Sequence, residues 1–410
     1  MRKRILILAL IIAMVAVPGT SLIQANGSEL TPEEQLGKAI FFDEDLSINM
    51  NEACAACHSP EAGWTGPIEE INAAGAVYEG SIPGRFGNRK PPSAAYATLS
   101  PILYMDKKGT WTGGNFWDGR ATGEVLGNPA ADQAMGPFLN PAEQASPDSA
   151  CIVYRVLTSA YAGLYTDVWG AISITWPSNI EYVCATEGET VALSDEDRVK
   201  SDQAYGNIAL SIAAYEASVE VNAFTSKYDY SRIGMAKMTK EEQHGFALFN
   251  GKAKCSNCHP GNGKDPLFTD FTYDNLGIPP NEDNPVYEVD PDFIDYGLGG
   301  YLQTIGYSEE IYELENGKFK VPTLRNVDLR PDEEFVKAYG HNGYFKSLEE
   351  IVHFYNTRDV EGAGWGGVPW PEPEVSDNIN TGELGNLGLS AQEEAYIVAF
   401  LGALSDGYMP

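Results

Sequence analysis

Two short motifs constrain this chain more than anything else in it. Cys54-Ala55-Ala56-Cys57-His58 and Cys255-Ser256-Asn257-Cys258-His259 are both C-x-x-C-H, set 201 residues apart. Two thiols one helical turn apart reach the two vinyl groups of one porphyrin, and the adjacent imidazole is then held under the ring as an iron ligand. A zinc site drawn from both motifs would offer six ligands where structural zinc takes four. A pair of redox disulfides needs no histidine at the fifth position. The pattern therefore predicts two covalently bound haems c, with His58 and His259 as iron ligands.

The start of the chain agrees with that chemistry. Arg2, Lys3 and Arg4 precede a 13-residue apolar run, Ile5 to Val17, broken by Pro18. Such a run is short for a bilayer span and suits a signal peptide, with a cut expected after Ala25. An uncleaved anchor is the competing reading. No other stretch is apolar enough to cross a membrane, so the mature protein is expected in the periplasm. There, Cys151 and Cys184 read as a structural disulfide, against the alternative of two separate buried thiols. Acids outnumber bases 58 to 27, a net charge of −31. That surface repels nucleic acid and anionic lipid; it serves solubility, or attracts a cationic partner.

The chain also repeats itself. Thr31-Pro32-Glu33-Glu34 precedes the first motif and Thr239-Lys240-Glu241-Glu242 the second. Each is a capping box that opens a helix. Each helix then carries a glycine at the same place, Gly37 and Gly245, which suits close approach to another backbone. Ser390-x-x-Glu393 opens a third helix running to about Leu404. Ser194-x-x-Asp197 leads into a long Ala-rich helix ending near Val221. Strand signals are few and short. The expected fold is mainly α: two cytochrome-c-like lobes, each with one haem, joined by long loops. The divisions are 1–25 (signal peptide), 26–235 (first cytochrome c lobe) and 236–410 (second cytochrome c lobe).

Axial ligands separate an enzyme from an electron carrier. The chain has five histidines: His58, His244, His259, His341 and His353. None lies between His58 and Cys151, so an open far side is expected for the first haem, unless Met105 or Met135 closes it.

Four further stretches complete a resemblance to the bacterial di-haem cytochrome c peroxidases and the related MauG-type enzymes. They are 115–121 (NFWDGRA), 133–143 (QAMGPFLNPAE), 319–327 (FKVPTLRNV) and 339–350 (YGHNGYFKSLEE). The resemblance spans almost the whole mature chain. It implies that Glu143 and Gln133 are the distal catalytic pair and that Trp117 lies between the haems, although the spacing from Trp117 to Gln133 is longer here than in the family. A carboxylate over an open iron can take a proton from the near peroxide oxygen and return it to the far one. An amide can orient the peroxide but cannot titrate.

Two departures from the peroxidase pattern stand out. The family's loop histidine, which closes the catalytic haem until reduction, falls on Ala74, so the first haem is expected to be open even when oxidised. The methionine that ligates the second haem falls on Tyr355, as in the MauG-type enzymes; His353 is the rival ligand. The resemblance further implies one Ca²⁺ between the lobes, held by Asn88 and by the carbonyls of Val336 and Ala338. The MauG-type exit tryptophan falls on Ala253. Trp365 and Trp370 are alternative exits, with loop packing as their plainer explanation.

The function expected first is hydrogen peroxide reduction, with electrons from a small soluble cytochrome c or cupredoxin, cationic in charge, passing through the second haem. The second is oxidation of Trp or Tyr in a partner protein with peroxide as oxidant. The third is plain electron transfer.

Overall fold

The computed structural model describes residues 29–410. The expected signal peptide and its cut lie outside the described residues. Helices dominate, and the strands form three two-stranded ribbons: Tyr104–Met105 with Trp111–Thr112, Tyr273–Asp274 with Phe319–Lys320, and Gly364–Trp365 with Val368–Pro369. Among the described residues no helix is long and apolar enough to cross a membrane.

Both repeated capping boxes form. The Thr31 hydroxyl accepts from the Glu34 N–H and the Glu34 carboxylate accepts from the Thr31 N–H, which starts the helix Pro32–Phe41. Thr239 and Glu242 do the same for Lys240–Phe249. Each box satisfies two amides that the helix itself leaves unpaired.

The repeated glycine does the same work twice. A Cβ on Gly37 would lie 1.8 Å from the Ser211 carbonyl oxygen in the helix Asp195–Ala217. A Cβ on Gly245 would lie 1.8 Å from the Tyr396 carbonyl oxygen in the helix Ala391–Gly402. No side chain fits in either crossing, so glycine sets how closely each helix pair packs. The long helix ends at Ala217, about a turn before the Val221 expected from its composition, because Ser218 turns back to bond the Tyr215 carbonyl.

Each crossing seeds a core. One joins residues between Leu36 and Val221, including Phe41, Phe138, Ile208 and Tyr215. The other joins residues between Tyr228 and Leu404, including Phe249, Phe268, Phe345 and Phe400. Each fully buried aromatic of this kind contributes about 1.5–3 kcal/mol. Cys151 and Cys184 are bonded to each other in a small satellite core with Ile180, Val183 and Val191. Polar contacts lock the halves together. Arg89 pairs with Asp118 and Asp295, the Tyr96 hydroxyl donates to Asp406, and the Lys90 N–H donates to the His341 carbonyl at 2.9 Å.

Candidate functional site

Two cavities lie beside the two motifs. The first, about 230 Å³, is lined by Cys54, Cys57, His58, Trp117, Gln133 and Glu143, and Asn88 also reaches it. The second, about 110 Å³, is lined by Cys255, Cys258, His259, Trp117 and Tyr355. Each motif forms a single 3₁₀ turn that brings its two sulfurs to the cavity wall.

The histidines are oriented alike. His58 Nδ1 lies 3.3 Å from the Trp64 carbonyl, and His259 Nδ1 lies 2.8 Å from the Phe268 carbonyl. A carbonyl at Nδ1 makes that nitrogen the donor and leaves the Nε2 lone pair for a metal. Burial holds both rings neutral, pushing His58 down to about 4 and His259 below its ordinary value. Two thiols, a neutral imidazole and an apolar hollow are the donor set that a haem c requires, and both sites provide it.

Trp117 borders both cavities and is the only aromatic ring that does so among the described residues. Its indole N–H donates to the Lys90 carbonyl at 2.8 Å, and its own carbonyl accepts from the Lys320 N–H at 2.8 Å. Gln133 projects from the helix Pro129–Leu139, which Asn128 caps. Glu143 follows in the next turn and accepts from the Asn140 side-chain amide at 2.8 Å. Burial raises the Glu143 carboxyl, while the Arg120 charge and the Asn140 bond pull the other way. No methionine lines the first cavity among the described residues. Met105 is exposed on its ribbon and Met135 packs against the first core, so neither of the alternatives weighed above closes this side.

Tyr355 and His353 share the helix Leu348–Thr357 and separate cleanly. Tyr355 faces the second cavity, where burial pushes its phenol up. His353 turns away and bonds Glu394 through Nδ1 at 3.0 Å. A histidine not weighed as a ligand, His341, also reaches the second cavity. It stacks on Phe319 at 3.4 Å and points Nε2 at Glu374, 3.6 Å away.

Of the groups expected to hold calcium, Asn88 lines the first cavity. The Val336 carbonyl already accepts from the Asn72 amide at 3.2 Å. The residue between Val336 and Ala338 is Lys337, whose buried ammonium donates to the Asn326 and Leu329 carbonyls at 2.8 Å each. Lys90, two residues after Asn88, buries a second ammonium on Thr65 and the Pro91 carbonyl. Burial pushes both lysines down, Lys90 to about 7 and Lys337 well below its ordinary value.

Sequence reasoning missed two buried acids. Glu52 lines the first cavity with one carboxylate oxygen unpartnered. Burial and the nearby Glu143 charge raise it to about 7. Glu216 lies one helical turn beyond Ile212 on the same wall, and burial raises it to about 8. The available signal was an acid on the apolar face of an Ala-rich helix.

Comparison with known proteins agrees with this geometry. Residues 31–237 match the family described as di-haem cytochrome c peroxidase. The methylamine utilization protein MauG of Paracoccus denitrificans is 34% identical over 383 residues, which is 90% of this chain and 88% of that protein. The cytochrome-c peroxidase IdrP1 of Denitromonas iodatirespirans is 30% identical over 90% of this chain and 80% of its own length. The crystal structure of the diheme peroxidase BthA from Burkholderia thailandensis superposes with a TM-score of 0.74 at 25% identity, covering 93% of this chain and 90% of that one. The chain therefore belongs to the di-haem cytochrome c peroxidase and MauG family of oxidoreductases.

Proposed function

We propose that the chain is a periplasmic peroxidase that reduces hydrogen peroxide in the first cavity and draws electrons through the second. One haem c would be held by Cys54, Cys57 and His58, in a lobe spanning 26–235. The other would be held by Cys255, Cys258, His259 and Tyr355, in a lobe spanning 236–410. When bound, the haems would supply the iron and the electrons for cleavage of the peroxide O–O bond.

The observation that carries this reading is that Glu143 and Gln133 line the same cavity as His58, with no methionine or second histidine beside them. One peroxide takes up two electrons and two protons and leaves as two waters. Glu143 accepts the proton of the near oxygen and delivers it to the far one. Its bond from Asn140 fixes the carboxylate during that transfer. Gln133 offers an amide that aligns the peroxide without titrating. Trp117, clamped between Lys90 and Lys320, is the ring through which the two sites communicate.

Tyr355 favours a second reading, in which peroxide drives oxidation of Trp or Tyr in a partner protein. A phenolate donates charge to iron and lowers its reduction potential. Peroxide-dependent oxidation of a small cytochrome c or cupredoxin tests the first reading. Turnover with such a donor supports it. Consumption of peroxide without donor oxidation, together with crosslinking or hydroxylation of a partner protein, supports the second.

A further inference from the structure

An aromatic chain leads from the second cavity to the surface, and the peroxide chemistry above makes no use of it. Tyr355 borders the cavity, and its neighbour Phe354 lies 6.5 Å away between ring centroids. Trp370 meets Phe354 edge-on at 5.1 Å. His353 stands between the two indoles, 6.1 Å from Trp370 and 5.8 Å from Trp365.

The outer end of this chain is accessible. Trp365 is 40% exposed. It sits on the ribbon Gly364–Trp365 with Val368–Pro369, closed by Gly366 and Gly367, both at positive φ. Gly364 lets the ribbon close, since a Cβ there would lie 1.9 Å from the Val368 carbonyl oxygen. Trp370 is fixed by donating its N–H to the Thr357 hydroxyl at 3.1 Å. Trp365 and Trp370 thus lie on either side of the His353 ring, which links the exposed indole to the one nearer the cavity.

Charge around the ribbon is one-sided. From Asp359 to the C-terminus the chain has nine acids and no lysine or arginine. Glu361 and Glu372 flank the ribbon and are exposed. The last cation before it, Arg358, is spent on Asp359. An exposed aromatic anchor with an acidic rim suits a basic protein partner.

We propose that the 364–370 ribbon is the electron port of the enzyme, where a cationic one-electron redox protein docks and passes electrons through Trp365 and Trp370 to the second haem. Each transfer moves one electron: the partner is oxidised, the second haem is reduced, and no bond forms or breaks. The route passes Phe354 and Tyr355 and needs no residue at the position of Ala253. The inference rests on the proposed placement of the second haem.

The test avoids peroxide, so that its failure is distinct from failure of the peroxidase reading. Holoenzyme reduced under argon is mixed by stopped flow with oxidised, strongly basic cytochrome c, and the second-order rate is read. The rate is expected to fall with added salt. It is expected to fall at least about tenfold in Trp365→Phe and in Trp370→Phe, and to be unchanged in Trp176→Phe, a tryptophan of the first half. Trp365 is half-exposed, so its variant folds; haem absorbance checks Trp370→Phe. A Trp365→Phe rate within about twofold of the parent, or no dependence on salt, would overturn the proposal.

Discussion

Trp117 donates its indole N–H to the Lys90 carbonyl at 2.8 Å, and that bond holds the one ring that borders both cavities. The clamp has two sides, since Lys320 holds the Trp117 carbonyl and also lines both cavities. Trp117→Phe keeps an aromatic ring but loses the bond. The expected outcome is unchanged peroxide binding at the first haem, with slowed oxidation of the second in stopped-flow spectra. Equal rates for both steps would show that Trp117 only packs.

Glu143→Gln removes a proton carrier and keeps the shape of the side chain. Peroxide turnover is expected to fall about 10²- to 10⁴-fold, with the oxidised haem spectra unaltered. A smaller loss in Gln133→Ala than in Glu143→Gln would match an orienting role for the amide. Steady-state rates at saturating peroxide check both.

Glu216 ties stability to pH. Its carboxyl has an ordinary value of 4.5 and is raised by burial to about 8. Between those values the folded protein holds a proton that the unfolded chain has released. Its contribution is therefore fully present below 4.5 and is lost as pH rises through about 8. Glu216→Gln stays neutral throughout. Thermal melts should show the variant more stable than the parent at alkaline pH, with the difference shrinking as pH falls and vanishing below 4.5.

Calcium expected at Asn88 and at the Val336 and Ala338 carbonyls is tested by chelation. A metal bound at a hundred times its Kd adds about 2.7 kcal/mol, enough to move Tm by several degrees. Metal analysis of purified holoenzyme should find stoichiometric calcium, and EGTA should lower Tm. Coincident melts with and without EGTA would remove the expected ion.

Much of this was written in the sequence because it depends on local chemistry. The capping boxes, both C-x-x-C-H turns and the glycines at 37 and 245 each need particular residue types at fixed spacing. The place of Tyr355 was legible from its spacing, 14 residues after His341 in a stretch that resembles the family. The calcium site is the least legible part for a physical reason: two of its groups are carbonyls, which carry no side-chain signature. Glu52 and Glu216 were hidden because an acid reads as exposed unless the face it occupies is known. The contacts of Trp365, Trp370 and His353 join residues up to 17 positions apart across a loop and a helix, and only the folded chain reveals them.

The central claim is an open first iron beside Glu143 and a second iron closed by Tyr355. EPR of the fully oxidised holoenzyme, with Tyr355→Met alongside, tests it most directly. The account predicts one high-spin haem that is untouched by the substitution and one low-spin haem whose signal changes. Two low-spin haems in the parent, or a second-haem signal identical in Tyr355→Met, would contradict it.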